Sequence, residues 1–165
     1  MLRLFRVNGR INWSSLIISI MIPLLVGFLS SYFIRDAFQT YGQLNKPSFA
    51  PPAQIFQPAW TILYILMGIA SYRIWMYGIE RSDVRSALFY YGLQLIFNFL
   101  WSIIFFRLEL RGLAYIEIII LLVLIIITTI KFYRIDKVAG YLLVPYILWV
   151  TFASVLNLSI WLLNM

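Results

Sequence analysis

An all-α integral membrane bundle of five transmembrane helices is the fold class this sequence predicts, and three observations carry it. Hydrophobic residues make up 63% of the 165-residue chain and charged residues only 12%, a balance outside the range of water-soluble domains. Five apolar runs, at about 13–34, 58–78, 86–106, 112–130 and 139–163, each meet or approach the ~20 residues that cross ~30 Å of hydrocarbon. Within lipid the backbone has to satisfy its own hydrogen bonds, and runs of this length do so as helices. The sequence therefore reads as one transmembrane domain over 1–165, with a single long connection at 35–57.

Taken in order, the first run is too long for the core of a signal peptide and lacks a small-x-small cleavage site, so it reads as a retained helix. Pro23 is expected to kink it, and Gly27 and Ser31, four apart, give it a small-xxx-small face for close packing. The 35–57 connection contains Lys46-Pro47-Ser48-Phe49-Ala50-Pro51-Pro52, then Pro58 at the mouth of the second run. Proline so placed stops helix propagation and presets the next helix start. Phe38, Tyr41 and Leu44 recur at near-helical spacing, as a short amphipathic turn would. The connection reads as a lid over the bundle, with a segment resting in the headgroups as the alternative. Arg73, near the inner end of the second run, is expected to snorkel to the headgroups. The fourth run holds Glu117, the one carboxylate well inside a run, which reads as structural because no titratable groups at successive depths would extend it into a proton path. Thr128 and Thr129 are expected to bond back to their own helix.

The net charge of +7 belongs to topology rather than to nucleic acid, since the basic residues flank helices instead of forming a patch. One side carries Arg3, Arg6, Arg10, Arg73, Arg81, Arg85, Lys131, Arg134 and Lys137; the other carries Arg35, Lys46, Arg107 and Arg111. Nine against four puts the N-terminus inside and the C-terminus outside, with the cell membrane as the expected host. With no cysteine and no histidine, thiolate chemistry and histidine-ligated metal or haem are excluded, and no metal or cofactor is expected.

At ~1.5 Å of rise per residue, Trp60 and Tyr64 occupy the outer turns of the second helix. Gln94, Asn98 and Trp101 form one face in the outer half of the third, while Trp149 lies near mid-depth in the fifth with Ala153, Leu156 and Asn157 above it. Three indoles and several amides thus reach overlapping depths beneath the long connection, as flat walls and sparse directional hydrogen-bonding groups of one cavity would. The alternatives are plain. Trp13, Trp75 and Trp161 read as interfacial belt, Trp60 reads equally as belt, and Asn98 and Asn157 taken singly read as interhelical glue.

These segments also carry a family likeness. The 46–52 motif, followed by Pro58-Ala59-Trp60-Thr61-Ile62-Leu63-Tyr64-Ile65-Leu66-Met67-Gly68, resembles the signature of the tryptophan-rich sensory protein family, the TspO or translocator protein group. Asn98-Phe99-Leu100-Trp101-Ser102 and Pro145-Tyr146-Ile147-Leu148-Trp149-Val150-Thr151-Phe152-Ala153 resemble its third- and fifth-helix motifs, so the likeness spans essentially the whole chain. It implies a homodimeric five-helix bundle in a lipid bilayer, with a cavity under the first long loop. It also implies binding of porphyrins such as protoporphyrin IX and of benzodiazepine-type drugs, and, in some bacterial members, light-dependent oxidative breakdown of the porphyrin. Pro51, Trp60, Tyr64, Asn98, Trp101, Trp149, Ala153 and Leu156 match ligand-contacting positions, with the lid residue Tyr41 counted beside them. Trp60 and Trp149 match the indoles associated with photooxidation. Thr40 stands where the family often has tryptophan, and Ile103 replaces a usual proline, which is expected to straighten the third helix. The C-terminal segment lacks the animal cholesterol motif, so no sterol specificity is expected.

The leading expectation is a membrane receptor for tetrapyrroles. The plate would stack on Trp60, Trp101 and Trp149, Asn98 would address a polar atom, and Lys46 or Arg35 would face the carboxylates; solvated topology charges are the equal alternative for those two cations. A transporter of porphyrins or other lipophilic molecules, and a regulatory or structural membrane protein, are the competing readings. Whether photooxidation makes it an enzyme is left open.

Overall fold

The computed structural model describes residues 4–165, and Arg3 of the inner charge set lies outside them. Five helical spans are long and apolar enough to cross a membrane: Trp13–Phe33, Ala53–Trp75, Ser82–Arg107, Arg111–Ile135 and Lys137–Leu163. The first is α1 (Trp13–Phe33), capped by Asn12, whose side chain accepts from the Ser15 N–H at 3.1 Å. A short helix α2 (Ala37–Gln43) crosses the long connection. A 3₁₀ turn (Ala53–Ile55) then leads into α3 (Phe56–Trp75), so the second span starts before Pro58, which sits in the first turn where its missing N–H costs nothing. The helix stops three residues short of the expected 78, and the chain turns at Gly78, which has φ +96°. Helix α4 (Ser82–Ser102) begins earlier than the apolar run because Ser82, Asp83 and Arg85 form a polar first turn that hydropathy cannot register.

Ile103 does not straighten the end of this span. Residues Ile103–Arg107 widen into a π turn, with the Leu108 N–H bonded to the Ile103 carbonyl at 2.9 Å. Helix α5 (Arg111–Ile135) continues five residues past the expected 130. The last span is two helices, α6 (Lys137–Leu142) and α7 (Val144–Leu163), rather than one. Pro145 has no N–H to carry an α ladder through the junction, and the break falls at Leu143.

The spans pack as antiparallel neighbours, α1 on α3, α4 on α5, and α5 on α6 and α7, with α6 returning to α3. Ile17, Ile18, Met21, Leu25, Phe28 and Leu29 on α1, and Ile116, Ile120 and Val123 on α5, are exposed. Gln94, Asn98, Glu117, Thr128, Asp136 and Asn157 are buried. Apolar side chains outside and polar ones inside is the inverse of a soluble bundle and the arrangement hydrocarbon demands. Thr128 and Thr129 bond to the carbonyls of Leu124 and Ile125 in their own helix. Gly68 lets α3 lie directly on α1: a Cβ there would come within 2.5 Å of the Ile20 Cα.

Arg73 does not snorkel. It is 7% exposed and forms a two-point ion pair with Asp136, Nη2 to Oδ2 at 2.7 Å and Nε to Oδ1 at 3.2 Å, while its other amine donates to the Leu4 carbonyl. Asp136 also accepts from Tyr77 and from the Ala139 N–H, capping α6. Tyr72 donates to the Phe5 carbonyl and accepts from the Asn12 N–H, so the N-terminal segment is tied down over the inner end. Burial pushes the Asp136 carboxyl up, but the hydrogen bonds from Arg73, Ala139 and Tyr77 and the guanidinium charge outweigh it and hold the group below the usual carboxylate range.

Asp136→Asn leaves the Arg73 charge buried without its counter-ion and is expected to cost about 3–5 kcal/mol. Because the folded value is depressed, the wild-type pair contributes its full stability above the unfolded carboxylate pKa of ~3.9 and loses it as pH falls through the lower folded value. Melts in detergent between pH 7 and 3 should show this acid-sensitive increment in wild type and not in the variant. Gly68→Ala, which meets backbone, is expected to cost about 1–3 kcal/mol in the same assay, whereas Gly42→Ala, with nothing within 4 Å, should not show that packing loss.

Candidate functional site

A cavity lies between the first and third helices beside Gly27. A Cβ on Gly27 would lie 2.3 Å from Cε2 of Tyr64, so the missing side chain is what admits the tyrosine ring between α1 and α3. Beyond that contact a cavity of about 550 Å³ opens, within the size range of small-molecule sites. One wall is aromatic, with Trp60 stacked on Tyr64 at 5.6 Å and Trp101 backed by Phe105 at 5.3 Å outside the lining. The roof is α2, through Ala37, Phe38 and Tyr41. Phe28, Ser31 and Thr61 are exposed, so the lining reaches the surface sideways between α1 and α3 in the zone the spans place in lipid, while Arg35, Phe38 and Gln57 reach it at the loop end.

The polar atoms around it are mostly committed. The Tyr64 hydroxyl donates to Asn98 Oδ1 at 2.8 Å, Asn98 Nδ2 donates to the Tyr146 hydroxyl at 2.9 Å, and Tyr146 donates to Gln94 Oε1 at 2.9 Å. This chain joins α3, α4 and α7 through the bundle interior. The Trp101 indole donates to Asn157 Oδ1 at 3.1 Å, and the Asn157 amide donates to the Arg111 carbonyl. The Tyr41 hydroxyl donates to the Pro51 carbonyl at 2.9 Å, folding the loop back over α2. Ser31 and Thr61 bond to carbonyls one turn back. Ser30 is different: it is 4% exposed, it lines the cavity, and its Oγ has no partner.

The structure therefore brings Tyr41, Trp60, Tyr64 and Trp101 to one cavity, and sets Pro51, Asn98, Trp149, Ala153 and Leu156 outside its lining. Asn98 and Asn157 are engaged as bonds between helices. Trp149 does not share a wall with the other two indoles. Rings meet between α3 and α7, Trp60 edge-on to Tyr146 at 6.1 Å and Phe56 edge-on to Trp149 at 5.9 Å, and the cavity lies on the α1 side of α3. Trp149 rests behind Phe56 and beside Phe152, its buried indole N–H unpartnered. Lys46 is occupied too, its ammonium donating to the carbonyls of Tyr41, Gly42 and Leu44 at 2.8, 3.2 and 2.9 Å as a cap on α2. Arg35 lines the cavity, its guanidinium 4.1 Å above the Tyr32 ring. Glu117 is buried with both carboxylate oxygens unpartnered and is not among the lining residues.

The family model described as TspO/MBR matches residues 19–162. The chain belongs to the TspO/MBR family. It is 42% identical over 154 residues to the tryptophan-rich protein TspO of Archaeoglobus fulgidus, covering 93% of this chain and 99% of that protein. To the protein CrtK of Rhodobacter capsulatus it is 36% identical over 124 residues, covering 75% and 78% of the two chains. To the translocator protein of Bos taurus it is 33% identical over 144 residues, covering 86% and 85%. The likeness seen in the loop and helix motifs is thus a membership that extends over most of the chain.

What sequence reasoning missed is the contribution of α1, which supplies Leu24, Gly27, Phe28, Ser30 and Ser31 to the cavity. The signal was present as Gly27, Ser30 and Ser31, small residues three and four apart, but it reads equally as helix packing. Gly27→Ala should push the Tyr64 ring toward the cavity and strain its bond to Asn98. A loss of about 1–3 kcal/mol, with a changed near-ultraviolet tyrosine signal, is the expected outcome. Tyr64→Phe, which keeps the ring and removes only the hydroxyl, should restore neither.

Proposed function

We propose that this chain is a membrane receptor that holds flat apolar ligands, porphyrins of the protoporphyrin type and drug-like aromatics, in the cavity between α1, α2, α3 and the outer end of α4. The observation that carries this reading is the aromatic wall of Trp60, Tyr64 and Trp101 around about 550 Å³ of space. A plate stacked there gains area burial and ring contact, each ring pair worth about 0.5–1.5 kcal/mol beyond the area. Arg35 at the rim is the cation available to a ligand carboxylate. Receptor is favoured over transporter because the opposite end of the bundle is held shut by the Arg73–Asp136 pair and the N-terminal segment. The basic-residue count supports a cell-membrane protein with its N-terminus inside and the lid outside. A homodimer would form through lipid-facing surfaces.

Light-dependent breakdown of a bound porphyrin is part of the proposal. The excited plate would exchange an electron or energy with the Trp60 indole, molecular oxygen would attack the ring, and the protein would supply the geometry. A tryptophan-fluorescence titration with protoporphyrin IX should quench saturably, and absence of saturation would reject the receptor. Trp60→Phe is expected to weaken binding by less than about tenfold, equivalent to ~1.4 kcal/mol, while slowing the illuminated loss of the porphyrin band by more than that factor. Trp149→Phe, whose ring lies behind the lining residue Phe56, should slow it less. Equal loss in wild type, Trp60→Phe and empty micelles would reject photooxidation.

A further inference from the structure

We infer that the lid end of the bundle carries a second site, separate from the aromatic cavity, which holds a phospholipid headgroup of the phosphoethanolamine type. Arg111 takes the phosphate and Glu109 takes the primary ammonium.

The site is a polar hollow of about 460 Å³ between α2, the turn that joins α4 to α5, and the end of α7. It shares no lining residue with the aromatic cavity. Helix α2 stands between the two, with Phe38 and Tyr41 lining the cavity and Thr40 and Gln43 lining the hollow. One side of the hollow is fastened by Asn164, whose Oδ1 accepts from the Asn45 N–H at 3.0 Å and whose Nδ2 donates to the Asn45 carbonyl at 2.9 Å.

Arg111 and Glu109 are the two charged side chains of the lining. The Arg111 side chain is 17% exposed and that of Glu109 58%, and one contact joins them, Nη2 to Oε2 at 3.1 Å. A guanidinium carries five N–H donors and meets a carboxylate best at two points, as Arg73 meets Asp136. Arg111 has the single contact. Its Nε is buried without a partner, and its Nη1 is not buried and makes no bond among the described residues. A cation so far withdrawn from water and so little bonded favours an anion at the open nitrogen. The residue also begins α5, whose dipole adds positive potential there, and Asn157 holds its carbonyl at 3.0 Å.

Glu109 has φ +54°, in the left-handed region where glycine or asparagine is usual and glutamate is strained. A carboxylate kept at such a position, more than half exposed and bonded through one oxygen, is an acceptor for an ammonium group. A phosphate and a primary ammonium two carbons apart therefore answer one cation and one anion set side by side. Phosphatidylcholine brings the phosphate without an N–H donor, and phosphatidylglycerol brings nothing to neutralise Glu109. A lipid is favoured over a soluble zwitterion by depth. The hollow lies where the Arg111–Ile135 span begins and the Lys137–Leu163 span ends, and exposed Leu113, Ile116 and Leu162 on those spans offer apolar surface to acyl chains. Trp161, tilted on Tyr115 at 6.2 Å and lying against Gly112, marks the interfacial level.

The test is native mass spectrometry of the delipidated full chain in detergent, titrated with phosphatidylethanolamine, phosphatidylcholine and phosphatidylglycerol of identical acyl chains. Wild type is expected to retain one phosphatidylethanolamine per chain, about fivefold or more over either competitor. Arg111→Gln should lower its retention to that of phosphatidylcholine, and Arg111→Lys should restore part of it. Glu109→Gly, which relieves the left-handed backbone, should melt no lower than wild type yet lose the preference over phosphatidylglycerol. Equal retention of the three lipids by wild type, or a preference intact in either Arg111→Gln or Glu109→Gly, would overturn the assignment. Displacement of the lipid by equimolar O-phosphoethanolamine would overturn the lipid as occupant in favour of a soluble zwitterion. None of these readouts depends on porphyrin binding, so the receptor reading stands or falls separately.

Discussion

Hydrocarbon offers no hydrogen bonds, so every polar side chain in the spans has to find its partner inside the bundle or forgo one. The chain from Tyr64 through Asn98 and Tyr146 to Gln94 meets that demand across three spans with short bonds, 2.8 to 2.9 Å. It fixes more than helix spacing. Tyr64 is held by its hydroxyl on one side and by the gap at Gly27 on the other, and Trp60 stacks on the ring so placed. The aromatic wall of the cavity is therefore set by a polar tie deep in the bundle, and the room for the Tyr64 ring against α1 is set by one absent methyl group.

The two ends of the molecule are built differently. At one end a buried guanidinium, a carboxylate that also caps a helix, and a tyrosine bonded to the N-terminal backbone close the bundle. At the other, α2 and its loop lie across the opening. There the loop is fastened by the Tyr41 bond to Pro51 and by Asn164, whose amide exchanges two bonds with the backbone of Asn45.

The five spans were legible because their signal is composition and length, and both survive any rotation of a helix about its axis. Depth was legible for the same reason: residue counting placed Trp60, Trp101 and Trp149 at overlapping heights. Azimuth was not. Apolar residues lie on both the lipid and the interior faces, so periodicity does not say which way Trp149 turns, and it turns behind Phe56. Arg73 was misread for a related reason. Its partner Asp136 is 63 residues away, and only the fold brings the two charges together. The break at Leu143 was available from Pro145, whereas the π turn at Ile103–Arg107 depends on packing that no local pattern encodes.

The sideways mouth between Phe28 and Thr61 changes what a measured affinity means. A greasy plate dissolves in the bilayer or micelle first, and the protein samples it there, at a mole fraction set by partitioning rather than at its aqueous molarity. Apparent dissociation constants will then rise in proportion to the lipid or detergent present, even when the contacts in the cavity are the same. In a cell, the occupancy of such a protein reports how much of the compound the surrounding membrane has absorbed.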